Sequence, residues 1–572
     1  MKAIDAVRTM FAKAGIGKRF RLRVTALSTI LAAFVCPAGV QAQAPVDVDA
    51  YGTVWKPLRI GAGGWLTGID IASDGTKVVR TDTYGACLWT GSQWTQLVTS
   101  TSMPASDVDI EKNAGVYEIR IAPSSSSRLY MMYRGSVYRS DDRGATWTKT
   151  AFVSVAGVDP NDNYRTNGQK MAVDPVNPDV VYAGTTDNGV WTSSDGGADW
   201  SQVSAIPAGA SGQGGITGIA FDPTSGQTGG KTRTIFAGSW SNGLYLSTNA
   251  GVNWARTAGG PATIHNAIVS RDGIYYATSG AAAWKYASGT WSNLESSRAW
   301  HSIAVDPSNT ARIVLGDDGG YLCQSPDRGA TWPQGVIWGS TAHPITRHAA
   351  DIPWLGWTME KYMSNGNMVF DPSASNELYF SEGIGVWHTA IATNQSWDLG
   401  PIWNSQSLGI EQLVVNEVIS PPGGKPLVAA WDRAVFYVND PDVFPSTHAP
   451  DNQQSLEAGW SVDWASSRPS YIAAIMQWNV EKSGYSTNGG QTWCSFASYP
   501  PFFSAYKIGG GIAASTPSNI VWAPNNNGNP YYTKNGGAIN ATTPFADILV
   551  VEGIPMPLDA LQTSWQLAPT GK

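Results

Sequence analysis

The sequence predicts an all-β protein of tandem β-propellers, a seven-bladed N-terminal ring followed by an incomplete second ring. Three observations carry that expectation. Ser140-Asp141-Asp142-Arg143-Gly144-Ala145-Thr146-Trp147 returns as Ser193 to Trp200, Ser247 to Trp254, Ser325 to Trp332 and Ser486 to Trp493. In each copy, Asp or Asn with Gly supplies a tight turn between runs of β-formers, so the phrase reads as a hairpin. Ahead of the boxes a second phrase recurs, at Asp174-Pro175, Asp222-Pro223, Asp306-Pro307 and Asp371-Pro372, followed by an apolar strand such as Val180-Val181-Tyr182-Ala183-Gly184. Strand, Asp-Pro turn, strand, strand and hairpin make one four-stranded blade. The 62 Gly and 34 Pro fit many short elements joined by turns and disfavour a helical fold.

Units begin near Gly64, Tyr117, Gly168, Gly215, Thr263, Trp300, Asn365, Gly409, Gly459 and Gly509. Closed propellers usually hold about four to eight blades, so ten units divide naturally as seven plus three, with the break near Trp403. The expected domains are residues 43–400 for the first ring and 401–572 for the partial second. A second ring of seven would need further units of about 45 to 50 residues each.

Residues 1–42 read as a secretory signal: a basic start, the uncharged run Val24 to Val35, Pro37 and the small-residue site Val40-Gln41-Ala42. The expected location is secreted or periplasmic. No later run is long and apolar enough to span a bilayer. That leader carries seven Lys or Arg and one Asp, so without it the 37 basic and 44 acidic side chains become 30 and 43, a net of −13. Nucleic acid and anionic membrane are poor partners for such a chain. The six His are scattered, no metal-ligand spacing is visible, and neither metal nor organic cofactor is expected. Cys87, Cys323 and Cys494 allow at most one internal disulfide.

Units 1 and 8 carry a feature that the boxes lack. Val78-Val79-Arg80-Thr81-Asp82 and Leu427-Val428-Ala429-Ala430-Trp431-Asp432 each set an acidic residue just after an apolar strand, at matching positions in the first blade of each ring. Two carboxylates facing across a cleft suit glycoside hydrolysis. A pair of turn caps would give the same pattern, and position alone leaves both readings open.

The recurring hairpin resembles the Asp-box of sialidase-like propellers, where it lies on the rim away from the site. Arg59 to Trp65 followed by Val79 to Ala86 resembles the opening of family 74 glycoside hydrolases, secreted xyloglucan-cleaving endoglucanases with tandem seven-bladed propellers. Pro353 to Trp357, Gly409-Ile410-Glu411, Val418 to Gly423 and Trp431-Asp432 resemble the segments leading to that family's second carboxylate. The likeness runs from about Tyr51 to Pro530. It implies a β-1,4-glucan hydrolase that inverts the anomeric centre, with Asp82 as general base and Asp432 as general acid. Where the family has a Gly-rich turn after the acid, this chain has Arg433-Ala434-Val435, so Glu382, Glu411 and Glu417 stand as reserve carboxylates. A guanidinium turned on Asp432 would favour its charged form, the wrong direction for an acid.

Of the 26 Trp, Trp65, Trp354, Trp357, Trp403 and Trp431 lie outside the boxes near the candidate carboxylates and are the expected sugar-stacking faces. Trp460 and Trp464 join them as weaker candidates. A sialidase would need an opening Arg-Ile-Pro phrase, whereas Pro57-Leu58-Arg59-Ile60 runs into Gly61. A non-catalytic propeller that binds glycan or protein is the alternative, since fold does not settle activity.

Overall fold

The computed structural model describes residues 56–534 and 546–547 except 63, 108–113, 153–157, 210–213, 334, 338–345, 358–364, 384, 392–401, 412, 432, 446–457, 478–479, 498, 500–508 and 525–529. The chain divides into two parts, Met1–Pro57 and Leu58–Lys572. The described strands all belong to the second.

Short runs of β-branched and aromatic residues punctuated by Gly and Asp turns give successive, mainly antiparallel sheets, the seventh of which gains Thr346–His348 as a parallel strand beside Ile402–Ser405. Sheet 1 comprises Leu66–Ile71, Lys77–Thr81, Tyr84–Trp89 and Trp94–Gln96. Sheets 2 to 7 follow at Ala114–Lys149, Met171–Gln202, Ile216–Arg256, Ala267–Glu295, Trp300–Ile337 and Asn365–Ser405. A short parallel pairing of Tyr84 with Ala114 joins sheets 1 and 2. Sheets 8 to 10 lie at Val415–Tyr437, Gly459–Ser495 and Gly511–Asp547, and sheet 8 has three strands. Their starts follow the ten sequence units.

In sheets 2, 3 and 4 burial falls from the first strand to the last, whereas in sheet 8 the first strand is the least buried. Ile216–Phe221 and Trp300–Val305 are buried throughout, whereas Thr148–Lys149 and Ser201–Gln202 are exposed. A strand covered on both faces reads as a continuous apolar run, which is why the first strands are so legible.

The first strands share an irregularity. In sheets 1, 2, 4, 6, 7, 8 and 9 the register shifts near the strand start. A bulge bends the strand and re-aims the next side chain. Just past it stand Glu118, Asn367, Glu417 and Ser461, and each reaches the backbone of a neighbouring sheet. Glu118 Oε2 accepts from Lys170 N at 2.9 Å, Glu417 Oε2 from Val462 N at 2.8 Å and Ser461 Oγ from Ile512 N at 3.3 Å. Asn367 of sheet 7 reaches sheet 1: its Oδ1 accepts from Ile69 N at 2.7 Å and its Nδ2 donates to Ile69 O at 3.1 Å. Leu66, Ile69, Val79 and Trp94 of sheet 1 then share a core with Tyr379 and Val386 of sheet 7.

All five boxes close the same way, between the third and fourth strands. The Ser hydroxyl accepts the N–H of the Gly four residues on, at 2.7 Å in Ser140 and 2.9 Å in Ser193. The Asp or Asn oxygen accepts the N–H four residues beyond itself, as in Asp142 to Thr146 at 2.9 Å and Asn488 to Thr492 at 3.0 Å. Trp147 is buried, with its indole N–H donating to Leu97 O at 3.0 Å. Because neighbouring strands are antiparallel, the boxes lie at the opposite ends of the sheets from the turns between second and third strands.

The apolar core continues across the predicted boundary near Trp403. Trp354, Phe370, Phe380 and Trp403 pack in one cluster with Val428, Ala430, Phe436 and Val438 of sheet 8. On the first strand of sheet 8, Val415 and Val418 remain 44% and 59% exposed.

Asn367→Ala removes both bonds to Ile69 and leaves two backbone groups needing partners. A loss of about 2–3 kcal/mol is expected from urea unfolding midpoints, since a buried unsatisfied group costs about 1–3 kcal/mol. A loss below the scatter of surface variants would show that water replaces the amide.

Candidate active site

Asp82 follows the second strand of sheet 1. Its N–H donates to Trp65 O at 3.1 Å, which prolongs the pairing of Leu66 with Thr81 by one step. The turn beyond is closed by Thr81, whose hydroxyl donates to Gly85 O at 3.0 Å and accepts from Tyr84 N at 2.8 Å. Gly85 has φ +70°, a backbone that favours glycine. Sheet 2 passes so close that a Cβ on Gly115 would strike the Asp82 carbonyl. The Asp82 backbone is therefore held on three sides.

Its carboxylate is nearly buried, at 7% exposure. Oδ1 accepts from the Thr83 hydroxyl at 3.0 Å, and Oδ2 lies 3.5 Å from Arg165 Nε. Arg165 arrives from the segment before sheet 3, and its guanidinium lies 3.8 Å over the Trp65 ring. Acid, guanidinium and indole thus form one compact group at the ends of sheets 1 and 3.

Behind it lies a buried cluster of charges from sheets 1 and 2 and the segment entering sheet 3. Glu118 Oε1 meets Arg80 Nε at 3.1 Å and Arg120 Nε at 3.4 Å. Burial by itself would raise the Glu118 carboxyl, but Arg120, Arg80 and the Lys170 N–H outweigh it and hold it below the usual range. Lys170 is pushed down to about 7, first by burial and then by Arg80. Asp70, Arg80, Arg120, Asn266, Ser302 and Asn367 border a cavity of about 130 Å³. Among the described residues no group of His, Cys, Asp and Glu could hold a metal ion, and no helix is long and apolar enough to cross a membrane.

The other expected residues fare differently. Trp354 and Trp403 are 0% exposed, so the structure corrects their expected role as sugar-stacking faces. The Trp354 N–H donates to Ile60 O at 2.7 Å, and Trp403 meets Phe380 edge-on at 4.6 Å. Both indoles fill the core because the segments that bear them cross the junction of sheets 6, 7 and 8. Trp357 ends the short helix Pro353–Trp357, and its side chain lies outside the described residues. Trp65 is half-buried with one face under Arg165, and Trp431 is half-buried against Trp460 at 5.1 Å. Asp432 lies outside the described residues. The side chain of Arg433 is buried, its guanidinium 5.2 Å from the Trp354 ring centre.

The expectation that Asp82 and Asp432 hold matching positions needs correction. Leu66 pairs with Thr81 and Val415 with Ala430, while Asp82 N donates to Trp65 O and Trp431 N to Val414 O. Trp431 therefore occupies the place of Asp82, and Asp432 comes one residue later. Counting from the end of an apolar run could not show this, because the run does not reveal the last paired residue.

The reserve carboxylates have structural duties. Glu382 is wholly buried and accepts the Trp387 indole N–H at 2.6 Å, and Glu417 bonds sheet 9. Glu411 Oε2 accepts from Gly61 N at 2.7 Å and Ile60 N at 3.2 Å. Burial pushes its carboxyl up to about 7 against those two N–H bonds and Arg59. Sequence reasoning passed over Arg165 altogether, since its segment Asp162-Asn163-Tyr164-Arg165 belongs to no repeat. It also passed over Trp240, which stacks on His265 at 4.1 Å and stands in the place of Asp82 within sheet 4.

Fold and site define an all-β repeat protein with a carboxylate, guanidinium and indole grouped at the strand ends away from the boxes. Comparison with known proteins takes this further. No family model matches the chain. Xyloglucanase Xgh74A of Acetivibrio thermocellus is 28% identical over 86% of this chain and 65% of its own length, and a xyloglucanase of Hypocrea jecorina is 27% identical over 77% and 61%. The chain therefore spans about two thirds or less of the length of these relatives. The crystal structure of the GH74 xyloglucanase from Xanthomonas campestris superposes with a TM-score of 0.74 at 27% identity, covering 88% of this chain and 76% of that one. The Niastella koreensis GH74 enzyme shares the fold, with a TM-score of 0.71 at 24% identity over 84% and 73%. In sequence and fold the chain is thus similar to xyloglucanases of glycoside hydrolase family 74.

Glu411 gives a pH test of the junction it spans. A carboxyl whose folded pKa lies above its unfolded value keeps its proton in the native state while the unfolded chain loses it. Its contribution is complete below about 4.5 and is lost as pH rises to about 7. Asp463, pushed up to about 6 by burial, adds a term of the same sign. Glu411→Gln should flatten the fall in stability over that window and leave the variant more stable above pH 7, by roughly 3 kcal/mol at most. Unfolding midpoints at pH 4.5, 6 and 8 measure it, and parallel curves for variant and wild type would refute it.

Proposed function

We propose that this chain is a secreted glycoside hydrolase that cleaves the β-1,4-glucan backbone of xyloglucan with inversion of the anomeric carbon. Asp82 acts as the base. It takes a proton from water as the water oxygen bonds to the anomeric carbon, and Asp432 gives a proton to the departing glycosidic oxygen. The observation that carries this reading is the fixing of Asp82, a nearly buried carboxylate bonded by Thr83 and faced by Arg165 at 3.5 Å, in a chain whose relatives are named xyloglucanases.

The same reading takes sheets 1 to 7, within residues 43–400, as a seven-bladed ring. Support comes from the bonds between Asn367 and Ile69 and from a cavity bordered by sheets 1, 2, 3, 5, 6 and 7. Sheets 8 to 10, within 401–572, are taken as part of a second ring, with residues 1–42 as the export signal. Inversion requires a water between the carboxyl groups, hence about 6.5–9.5 Å from Asp82 to Asp432. Of the proposed stacking faces, Trp65 and Trp431, both half-buried, remain together with Trp357.

Mature protein incubated with xyloglucan should release new reducing ends, initially in the α configuration by NMR, and EDTA should not diminish the rate. Asp82→Asn and Asp432→Asn should each lower kcat by about 10²–10⁴ with KM little changed. Absence of new reducing ends on xyloglucan, mixed-linkage β-glucan and carboxymethyl cellulose, with xyloglucan still bound, would turn the assignment to a binding protein.

A further inference from the structure

We propose that Arg165 is a positioning residue for Asp82, a side chain delivered from the third sheet to the first that fixes the carboxylate in one orientation and keeps it charged for its work on water. This inference rests on the reading of Asp82 as the base.

Arg165 is secured at three points. Its Nη1 donates to Asp162 O at 2.8 Å, which curls the segment back on itself. Its carbonyl accepts from Arg80 Nη1 at 3.2 Å and from Lys170 Nζ at 3.2 Å. Those two donors are themselves fixed, Arg80 by Glu118 and by Tyr117 O at 2.9 Å, Lys170 over the Tyr117 ring at 4.2 Å. The backbone beneath the guanidinium thus belongs to the buried charge network. Only the head reaches outward, over the Trp65 ring at 3.8 Å with Nε 3.5 Å from Asp82 Oδ2.

This arrangement does two things that a turn cap does not require. A planar guanidinium held over an indole has few ways to move, so the positive charge stays where Asp82 needs it. With side-chain exposures of 17% for Arg165 and 10% for Asp82, that charge acts through little water and is weakly screened. The next two residues in the chain bring no positive charge to Asp82. Thr83 donates a neutral hydroxyl, and Tyr84 is pushed up by burial and then by Asp82 itself, so it stays uncharged at neutral pH. Arg80 and Lys170 face Glu118, Tyr117 and Asp162 on the inner side.

The test compares Arg165→Gln, Arg165→Lys and Asp82→Asn with wild type, using xyloglucan as substrate. Arg165→Gln should move the acidic limb of the kcat/KM profile up by about one pH unit, so that activity lost at low pH returns as pH rises. Arg165→Lys, which keeps the charge, should bring the limb most of the way back. A general weakening of the fold would lower the profile without moving its limb, and that result would overturn the proposal, as would an Arg165→Gln profile superposing on wild type while Asp82→Asn is inactive. Full activity in Asp82→Asn would instead remove the base assignment itself. A ¹³C-carboxyl titration of Asp82, assigned by its absence from Asp82→Asn, reads the same effect without turnover: the midpoint should rise by about one unit in Arg165→Gln, and no rise would overturn the proposal.

Discussion

The structure depends on how one sheet grips the next. Each sheet is a short antiparallel meander too small to stand alone. The bond between sheets is made by a side chain beyond a bulge in the first strand, which accepts a backbone N–H of a neighbouring sheet. Glu118 to Lys170, Asn367 to Ile69, Glu417 to Val462 and Asp463 to Ala514 are of this kind. Burying a carboxylate is costly unless it is bonded and compensated. At Glu118 the compensation is two guanidinium groups. At Asp463 it is incomplete, and the carboxyl is pushed up by burial.

Where a carboxylate is committed to gripping, it is lost to chemistry. This separates the acids of the chain more sharply than exposure does. Glu382, Glu411 and Glu417 each accept an N–H at 2.6 to 2.8 Å, from an indole in the first case and from backbone in the others. Asp82 instead meets a hydroxyl and a guanidinium, and its own backbone carries the sheet pairing. The sheet pairing at this point is thus made by backbone, and the side chain meets Thr83 and Arg165.

The repeats made most of the fold legible. A box of eight residues has one way to close, with the Ser and Asp oxygens taking the turn's N–H groups, and the copies announce themselves in any order. First strands were legible because burial on both faces leaves an unbroken apolar run. The bulges were not, since an extra residue in one strand is defined only by its partner, and a slip of one residue exchanges the faces of a strand. That is the origin of the misplaced equivalence between Asp82 and Asp432. Indole roles were illegible for a related reason: Trp65 and Trp354 both lie outside the repeated strands and boxes, and only packing distinguishes a half-covered ring from one sealed beneath the junction of sheets 6, 7 and 8. Arg165 had no signal at all, being a single residue in a connection that serves a distant sheet.

The two ends of the sheets have different freedom, and this explains where the site lies. At the box end, each residue answers to the hairpin, so the five copies stay alike. At the other end, the place after the second strand is set by a backbone bond to the residue before the first strand, as Asp82 N to Trp65 O, Trp240 N to Gly215 O, Trp431 N to Val414 O and Gln477 N to Ala458 O. That bond is indifferent to the side chain. Asp82, Trp240, Trp431 and Gln477 therefore occupy one geometric position with three chemistries: an acid, an indole twice over and an amide. Repetition fixes where these side chains project while leaving their identity open, so a series of similar sheets can present a graded row of polar and aromatic groups along one face. A site assembled from such positions inherits its precision from the sheets, and its specificity from residues on which folding places no demand.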